Sequence, residues 1–133
     1  MSIPAIIRNG VMSSLLVVED ETNIRRFVVA NLLARGFKAA EAENAEEGLE
    51  KLRQEPLPSA LILDIRLPGM SGLEMLDILS SDDRLSAIPV IVMTASAVGS
   101  QFGEAQYDNV VQWLVKPVSV QELLLAVNQA LQQ

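Results

Sequence analysis

The sequence predicts a single α/β domain built on a parallel sheet. Five short apolar runs alternate with stretches of helical spacing along the chain. Four of those runs are continuous enough to be strands covered on both faces, as strands of a parallel sheet are. A length of 133 residues, half of them hydrophobic, fits one domain with one buried core and leaves no room for a second of ordinary size.

The elements follow in order. Residues 1–13 lack the long apolar stretch and cleavage pattern of a secretory signal and read as a flexible N-terminal extension, with the domain over 14–133. Leu15–Val18 is the first strand. Ile24, Phe27, Val28 and Leu32 then form an apolar helical stripe that ends at Gly36, where a left-handed residue is usual. Phe37–Ala40 is a weaker strand, and Ala60–Leu63 and Val90–Met93 are strong ones. Val110–Val115 is interrupted by Gln112. Three helices open on a capping side chain with a carboxylate three residues on: Asn44 and Glu47, Ser71 and Glu74, Ser119 and Glu122. In the last of these Val120, Leu123, Leu124, Val127 and Leu131 share one face. The stretch from Ala95 to Asn109 is broken by Gly99 and Gly103, and its helix should be short, frayed or movable.

Composition removes whole classes of function. Seventeen acidic against ten basic residues give a net charge of −7, and no Lys/Arg cluster offers a footing for nucleic acid or anionic lipid. With no cysteine and no histidine, Ser-His-Asp hydrolysis, zinc enzymes and thiol redox chemistry are excluded. Few aromatics argue against a base-stacking platform. No apolar run approaches the roughly 18–20 residues that span a bilayer, so a cytoplasmic location is expected.

The residue that ends each apolar run carries the chemistry. Leu15–Val18 ends in Glu19 and Asp20, Ala60–Leu63 in Asp64, Val90–Met93 in Thr94, and the last run in Lys116. Right-handed crossovers in an open parallel sheet bring all strand carboxyl ends to one edge, where ligands bind at the reversal of strand order. Three carboxylates, a hydroxyl and an ammonium therefore converge on one crevice. Taken singly, each has an ordinary reading: a solvated helix start for Glu19 and Asp20, a turn residue for Asp64, a strand end for Thr94, a charged edge for Lys116 and core packing for Trp113. Their coincidence on one sheet edge is what points to a site.

Carboxylates about 4 Å apart repel by roughly 4 kcal/mol per pair at an effective dielectric near 20, a cost that a bound cation removes. Oxygen donors without His or Cys favour magnesium, manganese or calcium. With a lysine and a hydroxyl opposite, the set has the parts for phosphoryl transfer onto an aspartate. Asp would be the nucleophile, metal and Lys would neutralise two equatorial oxygens, and Thr would donate to the third.

At these residues the chain resembles the receiver domain of bacterial two-component response regulators, the CheY-like family. Val18-Glu19-Asp20-Glu21 is similar to the acidic pair after the first strand. The run from Leu63 and Asp64 through Pro68, Gly69, Met70 and Gly72 to Glu74 is similar to the phosphoacceptor strand and its loop, Thr94-Ala95 to the switch hydroxyl motif, and Lys116-Pro117 to the lysine-proline pair. The separations of 44, 30 and 22 residues between Asp20, Asp64, Thr94 and Lys116 match, and the resemblance covers about residues 14–132. It implies a flavodoxin-like, doubly wound five-stranded sheet ordered 2-1-3-4-5 with helices on both faces. It also implies that Asp64 accepts a phosphoryl group from a histidine kinase, a phosphotransfer protein or a small phosphodonor. Glu19, Asp20, Asp64 and the main-chain carbonyl of Arg66 would hold Mg2+ or Mn2+. Thr94 and Lys116 would bind phosphoryl oxygens, and Lys116–Pro117 would be cis. Arg66 and Ser96 would line water's route to the phosphoryl group and tune its lifetime. Trp113 stands at the aromatic switch position, with a larger ring than the usual Tyr or Phe. Tyr107-Asp108-Asn109-Val110 replaces the small pair common before the fifth strand, on a surface that relatives use for docking or dimerisation, so a homodimer is left open.

The resulting expectation is a phosphoacceptor signalling domain, with self-catalysed transfer and autodephosphorylation but no turnover enzyme activity. Its output would be protein binding, either as a stand-alone receiver or as one cut from a larger protein. The alternative is a phosphate-independent pseudo-receiver. A flavin carrier or an aspartyl-phosphate hydrolase fits less well, because Glu19-Asp20-Glu21-Thr22 would repel a flavin phosphate and no second catalytic Asp stands at Arg66.

Overall fold

The computed structural model of the protein describes residues 7–8, 11–95 and 107–132. Their elements in chain order are β1 (Ile7–Arg8), β2 (Val11–Met12), β3 (Ser14–Val18), α1 (Thr22–Ala34), β4 (Lys38–Ala42), α2 (Ala45–Leu52), β5 (Ala60–Asp64), α3 (Gly72–Ser80), β6 (Val90–Thr94), β7 (Val110–Val115) and α4 (Val120–Leu131). Strands β3 to β7 form one parallel sheet ordered β4-β3-β5-β6-β7. Counted by the sheet's own strands this is 2-1-3-4-5, the order the resemblance implies. Part of the segment expected as an extension is paired backbone, with Ile7 opposite Met12 and Arg8 opposite Val11 in an antiparallel ladder. The helix expected between Ala95 and Asn109, and Ser96 with it, falls largely outside the described residues.

Side chains alternate across the strands and build a core on each face of the sheet. On one face Leu15, Val17, Ile62, Ile91 and Met93 pack with Val28, Val29 and Leu32 of α1 and Leu123 and Val127 of α4. On the other, Leu16, Val18, Leu61, Leu63 and Val92 meet Leu52 of α2 and Met75, Leu76 and Leu79 of α3. Strands β3, β5 and β6 are covered on both faces, as their continuous apolar runs predict. Strand β7 is only half-buried, because it is an edge strand. Its register shifts between Val90 and Ile91, which pair with Val110 and Gln112, and the bulge re-aims Gln112 so that its amide nitrogen donates to Gln129 of α4. That contact accounts for a polar residue inside the apolar run.

Three local details differ from the sequence reading. Strand β4 starts at Lys38 rather than Phe37, because Phe37 closes α1. Its N–H donates to Leu32 O and the Gly36 N–H to Leu33 O, with Gly36 at φ 90°, the six-to-one closure that glycine allows at a helix end. The buried face of α1 runs through Arg25, Val28, Val29 and Leu32, so Phe27, placed on the apolar stripe by spacing, is 39% exposed at its rim. Finally, Ser71/Glu74 and Ser119/Glu122 form reciprocal capping boxes, whereas the first pair is reciprocal only in part. Asn44 accepts from the Glu47 N–H, but Glu47 returns its carboxylate to the N–H of Glu43.

Tyr107 ties the start of β7 to α3. It is buried, and its hydroxyl donates to Asp77 Oδ1 at 2.7 Å. Burial, reinforced by the hydrogen bond to and charge of Asp77, pushes its phenol from 10.0 up to about 12. A pKa raised on folding marks stability that is present below about pH 10 and lost as pH rises through 12. Tyr107 is the single tyrosine of the chain, so tyrosinate absorbance near 295 nm reads it directly. Its midpoint is expected at about 12 in folded protein, falling toward 10 in Asp77→Asn and in denaturant; equal midpoints in folded and unfolded protein would refute the assignment.

Candidate functional site

Each residue of the site is set by where its strand stops. The Glu19 N–H continues the β3–β4 ladder by donating to Ala42 O at 3.0 Å, and the chain then leaves the sheet toward α1. Glu19 is fully buried, while Asp20 is exposed. Asp64 ends β5, the central strand, and is 3% exposed. Thr94 ends β6 and is buried; its carbonyl accepts from the Lys116 N–H at 2.8 Å, which places the lysine at the same edge. The Lys116–Pro117 peptide bond is cis, as is Glu55–Pro56.

Lys116 is the hub. Its Nζ donates to Glu19 Oε1 at 2.7 Å and to Asp64 Oδ2 at 3.1 Å. The other carboxylate oxygens are held by the main chain: the Glu21 N–H donates to Glu19 Oε2 at 3.0 Å and the Arg66 N–H to Asp64 Oδ1 at 3.1 Å. Glu19, Asp20 and Asp64 each present a carboxylate oxygen within 4.8 Å of the others. This hard-oxygen set, with no soft donor and one member open to solvent, fits Mg2+ or Mn2+.

Electrostatics pull in opposite directions here. Burial pushes the Glu19 carboxyl from 4.5 up to about 7; the Lys116 and Glu21 hydrogen bonds draw it back, and the Asp64 charge adds to the rise. Burial also pulls the Lys116 ammonium down, but hydrogen bonds and charges from Glu19 and Asp64 outweigh it, and the net shift is upward. Lys116 thus stays charged and shared between two carboxylates.

The structure brings Glu19, Asp20, Asp64, Thr94 and Lys116 to one edge. The Arg66 side chain is exposed, and its backbone N–H donates to Asp64 Oδ1. Trp113 is half-buried against the Leu16, Val18 and Leu63 face, and its indole N–H has no partner among the described residues. Two residues to which the sequence reading gave no role of their own, Gly72 within the loop motif and Arg25, also build the site. Gly72 lets α3 start hard against the end of β5: a Cβ there would lie 2.5 Å from Asp64 O and 2.7 Å from Ile65 Cα. Arg25 is buried and donates to the Glu19 carbonyl; its signal in the sequence was a charge on the 25, 28, 29, 32 face of α1. Beside the site an apolar groove of about 440 Å3 is lined by Ile24, Phe27, Pro117 and Val118, with Asn23 and Lys116 at its polar margin.

A sheet of this order, with an acidic cluster and a lysine at its carboxyl edge, defines a receiver-like domain. A family model described as "Response regulator receiver domain" matches residues 15–128, and the chain belongs to that family. Among curated proteins it is 33% identical over 131 residues to histidine kinase P4 of Formosa agariphila, covering 98% of this chain and 9% of that protein. To the phosphate regulon transcriptional regulatory protein PhoB of Klebsiella pneumoniae it is 34% identical over 110 residues, 83% of this chain and 48% of PhoB. This chain therefore spans half or less of the length of both. Protein PilH of Pseudomonas aeruginosa is 31% identical over 120 residues, 90% of this chain and 98% of PilH. Among solved structures, Vibrio cholerae chemotaxis protein CheY4 superposes with a TM-score of 0.79 at 26% identity, covering 89% of this chain and 98% of that one. The chain is thus a two-component receiver domain, homologous to response regulators and to the receivers of hybrid kinases. Among the described residues no helix is long and apolar enough to cross a membrane.

Two outcomes follow from this geometry. Because folding raises the Glu19 pKa, its contribution to the stability of metal-free protein is present below about pH 4.5 and lost as pH rises through about 7. Urea unfolding at pH 5 to 8 without metal should show Glu19→Gln gaining on wild type as pH rises; a constant difference would refute the shift. Gly72→Ala should cost about 1–3 kcal/mol in the same assay, since backbone and not a side-chain tip must yield.

Proposed function

We propose that Asp64 takes a phosphoryl group from a histidine kinase, a phosphotransfer protein or a small phosphodonor in a Mg2+-dependent reaction, and that the product changes which protein this domain binds. The observation that carries the reading is the Asp64 carboxylate at the end of the central strand. One of its oxygens is 3.1 Å from Lys116 Nζ, and it shares a carboxylate cluster with Glu19 and Asp20. In the reaction an Asp64 oxygen forms the new O–P bond as the donor's P–N or P–O bond breaks, and the leaving group departs with the electron pair. A cation held by Glu19, Asp20, Asp64 and the Arg66 carbonyl would supply charge neutralisation for the phosphoryl oxygens. Lys116 turns its ammonium from the carboxylates to a phosphoryl oxygen, and the Thr94 hydroxyl donates to another. The apolar groove at Ile24, Phe27, Pro117 and Val118 adjoins Lys116 and gives a donor protein a surface to rest on while its phosphoryl group faces Asp64.

Phosphorylation exchanges the single negative charge of the Asp64 carboxylate for a phosphoryl group that carries roughly 1.5–2 negative charges at neutral pH. Moving Lys116 onto them releases Glu19 and pulls on the β6 and β7 ends, where Thr94 and Trp113 lie. That is the element we assign to switching, with Trp113 as its aromatic reporter.

Intact mass after incubation with Mg2+ and acetyl phosphate tests the reading. One phosphoryl adduct is expected in wild type, and none in Asp64→Asn or without metal. Lys116→Ala should keep metal binding while losing the coupled change in Trp113 fluorescence. Asp20→Asn should weaken Mg2+ binding on the order of tenfold or more. An adduct on Asp64→Asn at the wild-type rate would refute the acceptor assignment. Folded wild type that forms no adduct and binds no beryllofluoride would be the phosphate-independent interaction module instead.

A further inference from the structure

We infer that Arg25 is the positioning residue of the metal-binding corner: from the buried face of α1 it fixes the Glu19 peptide and so aims Glu19 and Asp20 at their shared site. The inference rests on the proposed metal-dependent reading of that site. An arginine on an apolar helix face is costly unless every donor direction is answered. Here the side chain is 8% exposed and its fork is divided among three partners. Nη1 donates to the Glu19 carbonyl at 2.9 Å, Nε to Glu41 Oε1 at 2.9 Å, and Nη2 lies 3.6 Å from Glu43 Oε1.

These contacts have a geometric consequence. The N–H of Glu19 is already committed to Ala42 O, and Arg25 commits its carbonyl. Both peptide groups that flank the Glu19 Cα are then held at the point where β3 stops, so the chain has little freedom to rotate there. Glu19 is turned inward to Lys116, and Asp20, the next residue, is turned outward. The anchors of the fork, Glu41 and Glu43, lie at the end of β4 and just beyond it, so Arg25 ties the acidic corner to the neighbouring strand. A planar guanidinium can bridge a carbonyl and two carboxylates at once, which an ammonium on a flexible stem does far less well.

The test uses Mn2+ alone, with bound metal read from loss of the free-ion electron paramagnetic resonance signal, and urea unfolding alongside. Arg25→Met should raise the Mn2+ dissociation constant about tenfold or more, in the range seen when groups that orient metal ligands are removed. Arg25→Lys should recover only part of that loss. Arg26→Met removes the same charge from the exposed neighbouring position and should bind as wild type. A purely structural role would lower unfolding stability and leave the affinity of the folded protein unchanged, which would overturn the inference. Equal weakening in Arg25→Met and Arg26→Met would also overturn it, by assigning the effect to net charge. If Arg25→Met does not fold, Glu41→Gln, whose side chain is 44% exposed, takes its place: several-fold weaker binding supports the inference and wild-type binding overturns it. Wild type that binds no Mn2+ would remove the metal reading and this inference with it. Wild type that binds Mn2+ but forms no adduct on Asp64 would remove the acceptor assignment and leave the role of Arg25 standing.

Discussion

Two carboxylates taken out of water beside each other, with one ammonium between them, are the constraint on which this molecule turns. Glu19 and Asp64 lie at the ends of adjacent strands and are 0% and 3% exposed. Lys116, 52 positions beyond Asp64 in the chain, reaches both. The arrangement is tenable only if three strand ends arrive together, and the parallel order β3-β5-β6-β7 is what brings them there. Each ladder contributes. The Glu19 N–H pairs with Ala42 O, the Ile65 N–H with Met93 O and the Lys116 N–H with Thr94 O, so the sheet's own hydrogen bonding sets the positions of the charges.

On the proposed reading, that balance is why a change of charge at Asp64 would act beyond Asp64 itself. Removing one partner of a buried, hydrogen-bonded ion pair exposes the cost of the other, and Lys116 is the shared partner of both acids. On the proposed reading, new phosphoryl oxygens draw the ammonium away from Glu19, whose pKa is already held near 7 by burial. The neighbouring strand ends then relax, and the perturbation passes to β7, the half-buried edge strand of the sheet. Coupling of this kind needs a two-state element to bias. That edge is half-buried and carries a bulge, and its Trp113 indole N–H has no partner among the described residues, so its packing leaves it room to shift.

How much of this was legible follows from the range of each interaction. The strands β3, β5 and β6 and the caps at Ser71 and Ser119 were legible because apolar runs and capping side chains act within a few residues. Asp64, Thr94 and Lys116 were legible as strand-end residues because an open parallel sheet gathers its strand ends on one edge. What escaped depended on contacts across the fold. Phe37 has strand-like chemistry, but the closure of α1 at Gly36 takes its N–H first. Phe27 and Val29 cannot be ranked by spacing alone, since the buried face of α1 is set by where the helix lies on β3 and β4. Gly72 is only a motif position after the Ser71 cap until the end of β5 is placed against it. Arg25 looks like any surface charge until the Glu19 carbonyl is seen to need a donor.

The two cations of the site divide its work by their chemistry. Arg25 sits behind the main chain, its planar fork divided among the Glu19 carbonyl, Glu41 and Glu43, and a delocalised charge so placed cannot follow a moving anion. Lys116 stands in front of Asp64 on a flexible stem, a compact charge with three donors that, on the proposed reading, can be redistributed among carboxylate and phosphoryl oxygens. Exchanging them would fail on both counts. A lysine behind Glu19 could not hold the carbonyl and two carboxylates together as the planar fork does, and a guanidinium at Asp64, larger and more rigid, could not be redistributed among several oxygens as a compact ammonium can. On the proposed reading, the site keeps its immobile charge for shaping the backbone and its mobile charge for the reacting group, so that the corner holds its shape while the charge at Asp64 changes.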